Sequence, residues 1–350
     1  MMLERLGESD EEFEGHVNYT SDPDDHDDDS VESISAPMHP VLGMQEAFEE
    51  SIREAADEED DPEAASSEPD AETRRRELLD RDTFDDSWTT RWKQNPSARC
   101  HPLVKLMAQI IFGLHLLHQQ QAKSDAEVVK ILQTHVDEID GFLEKTTEDF
   151  DLAIKDIEER IGFLKLPMTH VEVFDIMLED RKFRTQLVEG NTKIEKIIER
   201  TAKAMNAALL DIQKGVNTVQ QLALYLERAS SDWPQQSPEQ AAILVAMRGN
   251  EEGWKVCFGE LQSKGNKLGV DLVKLGTVVG EMNKLAAAAS RRRTVCIALS
   301  GMLSSTNIVR SRQQRQNKLR PMEPYQNRSS PKRAADQVNR AVINLISQAA

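Results

Sequence analysis

Cysteine is scarce in this chain: three residues in 350, Cys100, Cys257 and Cys296, with no CxxC pair among them. Widely spaced and odd in number, they exclude a disulfide framework or a zinc ribbon and fit a reducing compartment. No basic-then-apolar leader opens the sequence, because residues 1–29 are instead dense in Asp and Glu. No run approaches the roughly 18 apolar residues that a membrane-spanning helix requires. Two-residue alternation of useful length is also missing, so strands are not expected. There is no GxxxxGK[ST], and no Glu stands three residues before a His in the body of the chain. A phosphate loop and a di-iron bundle are both excluded on that ground. The expectation is a cytoplasmic protein with no cofactor and no metal.

What is present is a strongly segregated charge. Residues 1–90 hold 31 acidic and 6 basic side chains, a net of −25; residues 91–290 net −3; residues 291–350 hold 12 basic and 2 acidic, a net of +10. Acidic blocks at Asp22–Asp29, Glu46–Glu54 and Asp57–Glu63, interleaved with Ser, Pro and Ala, cannot bury enough apolar surface to offset the entropy of ordering. Residues 1–87 are therefore read as an acidic disordered region. Within it, Met44, Ala47, Phe48, Ile52 and Ala55 sit at helical spacing, which reads as a transient solvated helix or one that folds on a partner. Order is expected from Trp88 and Trp92, so that residues 88–290 form the folded body. Residues 291–350 are read as a basic, largely disordered tail, with a short amphipathic helix over Ala335, Val338, Val342, Leu345 and Ile346.

The body repeats apolar residues every three and four positions, the rhythm of long helices packed on one another. Pro102 suits a first turn, and Leu103 to Gln121 is apolar on most of its circumference, which predicts a buried helix. Ser124 with Glu127 reads as a capping box for a helix of about 40 residues that Pro167 ends. Its seam is Leu132, Val136, Ile139, Leu143, Phe150, Ile154, Ile157, Ile161 and Leu164. Thr169 with Glu172 repeats the capping pattern before a shorter helix through Val171, Phe174, Met177, Leu178 and Phe183, with Gly190 as its stop. Asn191 to Arg228 carries Ile194, Ile198, Thr201, Met205, Leu209, Ile212, Val216, Val219, Leu222 and Leu226. Trp233-Pro234 breaks the helix, and Ser237-Pro238 restarts it. The last seam is Trp254, Phe258, Leu261, Gly265, Leu268, Leu272, Leu275, Val279, Met282 and Ala286, running to about Ser290 with a break expected near Gly249-Asn250 and Gly253. The fold class is all-α: an elongated bundle of long antiparallel helices with coiled-coil-like seams, flanked by an acidic and a basic tail.

Chemistry is thinly represented. His115 and His118 lie three apart on a helix, a spacing that two metal ligands can use, but no Asp, Glu or Cys recurs at matching spacing, and bundle histidines are the simpler reading. Asp137, Glu138, Asp140, Glu148, Asp149 and Asp151 fall between stripe positions and are read as a solvated face. Cys257 lies beside the last seam as a structural thiol. Gly265, Gly269, Gly276 and Gly280 put small residues on one face, where another helix comes close. Of polar residues at inward seam positions, only Thr146, Thr147 and Thr201 are read. Arg291, Arg292 and Arg293 directly follow the last long helix and are the candidate anion contact.

Arg91-Trp92-Lys93-Gln94-Asn95-Pro96-Ser97-Ala98-Arg99, His101-Pro102-Leu103, Phe112-Gly113-Leu114-His115-Leu116-Leu117-His118, the stretch Leu132 to Glu144, and Lys264-Gly265-Asn266-Lys267-Leu268-Gly269 resemble a group of uncharacterised filamentous-fungal proteins. The resemblance covers roughly residues 88–290. It implies a fungal, cytosolic origin and implies no activity. From about Thr294 the tail falls outside it.

The expected function is a non-enzymatic helical scaffold or adaptor that works through protein–protein interaction or self-association. The alternative is a membrane-surface, BAR-like helical module that contacts anionic lipid through its basic C-terminal segment. An enzyme or ligand carrier would need a pocket inside the bundle, and a nucleic-acid partner is not expected.

Overall fold

The computed structural model describes residues 36–57, 69–80, 98–231, 233 and 238–307, with side chains through Cys296. The chain divides after Pro37 into two units, and the architecture that follows is that of the unit beginning at Met38. Among the described residues all regular structure is helical. After a 3-10 turn at Leu42–Met44 come α1 (Gln45–Asp57), α2 (Ala71–Asp80), α3 (Pro102–His118), α4 (Asp125–Thr169), α5 (Val171–Leu178), α6 (Arg181–Ala229) and α7 (Pro238–Asn307). The chain is all-α in class. No described helix is long and apolar enough to cross a membrane. Trp88, Trp92, Ser237 and the terminal stretch from Ala335 to Ile346 lie outside the described residues.

Local chemistry sets most helix starts. Pro102 occupies the first turn of α3, and the His101 ring caps it by accepting the Leu103 N–H at 3.2 Å. The Ser124 hydroxyl accepts the Glu127 N–H at the start of α4. Asp180 caps α6 through the Lys182 N–H at 3.0 Å. Pro167 sits in the last turn of α4, which ends two residues later. Other boundaries differ from expectation. Thr169 caps nothing: its hydroxyl donates back to the Leu166 carbonyl, and His170 stands at the start of α5 without a side-chain cap bond. The division falls at Glu179–Asp180 rather than at Gly190. Arg184 donates to the Leu178 and Glu179 carbonyls there, closing α5 while Asp180 opens α6. Gly190 lies buried inside α6. Nor does α7 break near Gly249, Asn250 or Gly253. A helical glycine costs about 1 kcal/mol, whereas each of the flanking Leu244, Met247, Trp254 and Phe258, all buried, contributes roughly 1.5–3 kcal/mol.

The long helices assemble around α7. Trp254 meets Asp140, Phe258 meets Phe142 and Lys264 meets Asp151, so residue numbers rise together and α4 and α7 run parallel. Leu209 faces Gly265, Met205 faces Gly269, Ile198 faces Gly276, and Asn191 bonds to Asn283, so α6 runs antiparallel to α7. The expectation of antiparallel neighbours holds for that pair and for α3–α4, where Leu132 and Val128 approach Gly113. It is corrected for α4–α7. The chain goes up α4, down α6 and up α7, and α4 and α6 flank α7 with little contact between them, so the touching pair includes the parallel one.

The side of the α4–α6 groove opposite α7 is filled in pieces. α3 occupies one end, with His101 against Asp211 of α6 and Gln240 Nε2 donating to the Leu117 carbonyl. α2 occupies the middle, beside Asp149 and Asp156 of α4 and Thr201 of α6. α1 packs on α3, its Phe48 ring 4.2 Å from that of Phe112. The acidic region drawn over residues 1–87 therefore contains two docked helices. The helical spacing of Met44 to Ala55 belongs to α1, which docks within the chain because Lys105 of α3 neutralises its Glu50 and Glu54; α2 was not expected.

Helix α6 also makes a closer approach than its sequence announces. A Cβ on Gly215 would lie 2.1 Å from the Phe258 ring, while one on Gly253 would meet nothing within 4 Å. Gly215→Ala is expected to lower stability by about 1–3 kcal/mol through overpacking, and Gly253→Ala to raise it by about 0.5–1 kcal/mol through helix propensity. Denaturant melts of the two variants check both signs.

Candidate functional site

Of the twenty-nine seam positions expected to pack, twenty-five are buried: all nine on α4, all ten on α7, and Ile194, Thr201, Ile212, Val219, Leu222 and Leu226 on α6. Ile198, Met205, Leu209 and Val216 are half-buried, the first three facing Gly276, Gly269 and Gly265 of α7. Of the four glycines read as a close-packing face, only Gly265 is tight, since a Cβ there would lie 2.6 Å from Leu209 Cδ2; Gly280 has open space.

The interior is more polar than the three threonines read from sequence. Thr146 and Thr147 donate back to the Phe142 and Leu143 carbonyls, and Thr201 accepts from Arg75. Beyond these, Asn191 is fully buried and donates to Asn283 Oδ1 at 2.7 Å. Buried Asp211 meets His101 Nε2 at 3.0 Å. Because His101 Nδ1 accepts a backbone N–H, the ring proton of the neutral form is assigned to Nε2, facing that carboxylate. Asp271 is held by Lys267 at 3.0 Å and Lys274 at 2.9 Å. Burial pushes its carboxyl up, but the two ammonium groups outweigh it and leave the pKa below the ordinary value. The Asp271 pattern was available in the sequence as Lys at i−4 and i+3; Asn191 with Asn283 required the tertiary pairing.

The remaining candidates for chemistry resolve into packing. His118 stacks on Trp233 with centroids 5.0 Å apart and planes 6° from parallel, and the Trp233 indole donates to the Gln240 carbonyl. His115 stands edge-on to Tyr225 at 6.4 Å. Burial, then the neighbouring His118 and His39, lower its pKa. Burial raises the thiols of Cys100 and Cys257 and the Tyr225 phenol, which keeps each protonated and poorly nucleophilic. Among the described residues no three His, Cys, Asp or Glu side chains gather as a metal site would. Several carboxylates read as solvated are interhelical clamps instead: Asp140 accepts from the Trp254 indole at 2.7 Å, Asp151 pairs with Lys264, and Glu148 and Asp149 pair with Arg74. A shallow cavity between α6 and α7, lined by Val216, Val219, Gln220, Ala223, Glu251 and Lys255, measures about 120 Å³, below the roughly 300 Å³ at which ligand pockets begin.

Three surfaces remain. On α3, Lys105 Nζ lies 2.7 Å from Glu50 and 2.6 Å from Glu54, and Glu50 also accepts the Arg99 and Cys100 N–H groups. The buried His39 ring touches the Ala108 and Val41 carbonyls. In the α4–α6 groove, Arg74 and Arg75 tie α2 to α4, and Arg200 donates to the Leu79 carbonyl at 2.5 Å. At the far end, Arg291, Arg292 and Arg293 are exposed. Arg292 lies 3.6 Å from Asp175, and Arg293 donates to the Glu179 carbonyl at the end of α5.

For Glu50, burial raises the pKa, but Lys105 and the two backbone donors more than cancel it, so the folded value lies below the ordinary 4.5. Its contribution to docking α1 is complete above that value and is lost as pH falls through the depressed folded pKa. Hydrogen exchange corrected for intrinsic pH dependence is expected to show α1 amides losing protection on acidification below about pH 4.5, ahead of the amides of α7.

No protein-family description, no curated protein and no solved structure matches this chain.

Proposed function

We propose that this chain is a non-enzymatic helical scaffold or adaptor of the cytoplasm that binds helices of other proteins, or of a second copy, along its flanks, and that it belongs with the filamentous-fungal group it resembles. The observation that carries the reading is α2. This ten-residue helix has no buried residue, yet it lies in the α4–α6 groove, fastened by Arg74, Arg75 and the Arg200-to-carbonyl bond. A groove that holds a polar helix in cis through charged anchors has the chemistry to hold one presented in trans. Arg75→Glu would set a carboxylate against Asp156 and release α2. A labelled peptide of residues 69–80 is then expected to bind this variant saturably, and to bind the wild-type chain, whose groove is filled, far more weakly. Equal or non-saturating anisotropy titrations for the two chains would sink the reading.

The second reading is a membrane-surface helical module of BAR-like kind. It is favoured by the exposure of Arg291–Arg293 beside α5, from which the most basic part of the chain continues.

A further inference from the structure

We infer that the end of the bundle formed by α5 and the Arg291–Arg293 turn of α7 is a docking face for an anionic membrane surface, with α5 supplying apolar side chains to the acyl boundary and the arginines contacting lipid phosphate. This deepens the second reading above and rests on it.

Helix α5 is apolar on more than its packed side. Phe174, Met177 and Leu178 are buried, but Val171 and Ile176 are 62% and 61% exposed and Val173 40%. A single exposed aliphatic residue needs no explanation; three on an eight-residue helix exceed what its contacts with the bundle use. The arginines are held against the same helix. Arg293 donates to the carbonyl of Glu179, which is one turn beyond Ile176, and Arg292 reaches Asp175, the residue before it. The chain continues from here with 12 basic and 2 acidic residues over 291–350.

Acidic groups stand at this end too: Glu172, Asp175, Glu179 and Asp180. Asp175 faces Arg292, and Asp180 is engaged as a helix cap. Against them stand Arg181, Lys182, Arg184 and the three arginines of α7, so the face is basic on balance. Branched aliphatic tips beside guanidinium groups match an anionic bilayer, which accepts the tips below its headgroups and the guanidinium charge at its phosphates. A nucleic-acid backbone would satisfy the arginines and give the valines and isoleucine nothing, and an acidic peptide would do the same.

Co-sedimentation of the full chain with vesicles of phosphatidylcholine alone, or with 30% phosphatidylserine by design, at two salt concentrations tests this. The wild-type chain is expected to pellet with the anionic vesicles and not with the neutral ones. Val173→Asp/Ile176→Asp and, separately, Arg291→Gln/Arg292→Gln/Arg293→Gln are each expected to weaken this at least about tenfold, with unchanged circular-dichroism melting. Val173→Ser/Ile176→Ser carries the same expectation without added charge, should the aspartates lower the melting point. If the wild type pellets and neither α5 variant differs from it, the docking face is overturned while the membrane reading stands on the arginines. If the wild type pellets with neither vesicle, both fall. Retention of duplex DNA in place of vesicles, lost only in the arginine variant, also overturns the inference.

Discussion

The bundle depends on α7 burying two adjacent stripes rather than one. A helix facing a single partner shows a narrow seam. Here the buried positions double at Asp271 with Leu272 and at Val278 with Val279, because one stripe meets α4 and the other α6. The closest point of this arrangement is the Phe258 ring lying over Gly215 of α6 while also neighbouring Phe142 of α4. Holding α4 and α6 on either side of a common helix keeps them from closing on each other, and the gap left between them has to be covered. α3 and α2 are the cover, so the presence of a groove lined by α4 and α6 follows from the way α7 is shared.

The polar groups inside the bundle fit a role in register. Asn191 with Asn283 and His101 with Asp211 each pair residues from different helices, and sliding either contact by one turn would leave a buried polar group alone at a cost of about 1–3 kcal/mol. Polar pairs of this kind add little net stability but penalise the wrong alignment. The Asp140 bond to Trp254 and the Asp151 pair with Lys264 do the same for the parallel α4–α7 contact, where an apolar heptad stripe alone would tolerate a shift of seven residues.

The seams were legible because burial recurs at the helix period: Ile157, Leu261 and Leu275 could be placed from spacing alone, and each is fully buried. The first-turn Pro102 and the Ser124 cap were legible from local pattern, whereas the His101 ring cap was not. What spacing could not supply was any balance between distant terms. Glycine at 249 and 253 signals a break locally, and the buried side chains on either side outweigh it. The helical spacing of α1 was legible but its docking was not, because its neutralising partner, Lys105, lies about fifty positions downstream on α3. The parallel pairing of α4 with α7 depends on which helices touch, and the order of helices along a chain does not determine that. For the candidate docking face, Arg291–Arg293 was readable as a charge cluster; the exposed side of α5 was not, since Val171 was read with the packed Phe174, Met177 and Leu178 although it is exposed.

The two short helices on the flank are fastened by different physics, and this orders their release. α1 and the 3-10 turn before it present Ala47, Phe48 and Met44, all buried, and the central ion pair of α1 uses a Lys105 side chain only 9% exposed. α2 relies on Arg74, 23% exposed, against Glu148, 52% exposed, and on the better covered Arg75–Asp156 pair. Exposed pairs are screened within about 8–10 Å at physiological salt, while covered pairs and apolar contacts are not. α2 is therefore the weaker fastening, and rising ionic strength acts on it first. Its departure uncovers the middle of the α4–α6 groove while α3 and α1 still close one end, so the groove becomes available without loss of the bundle that shapes it.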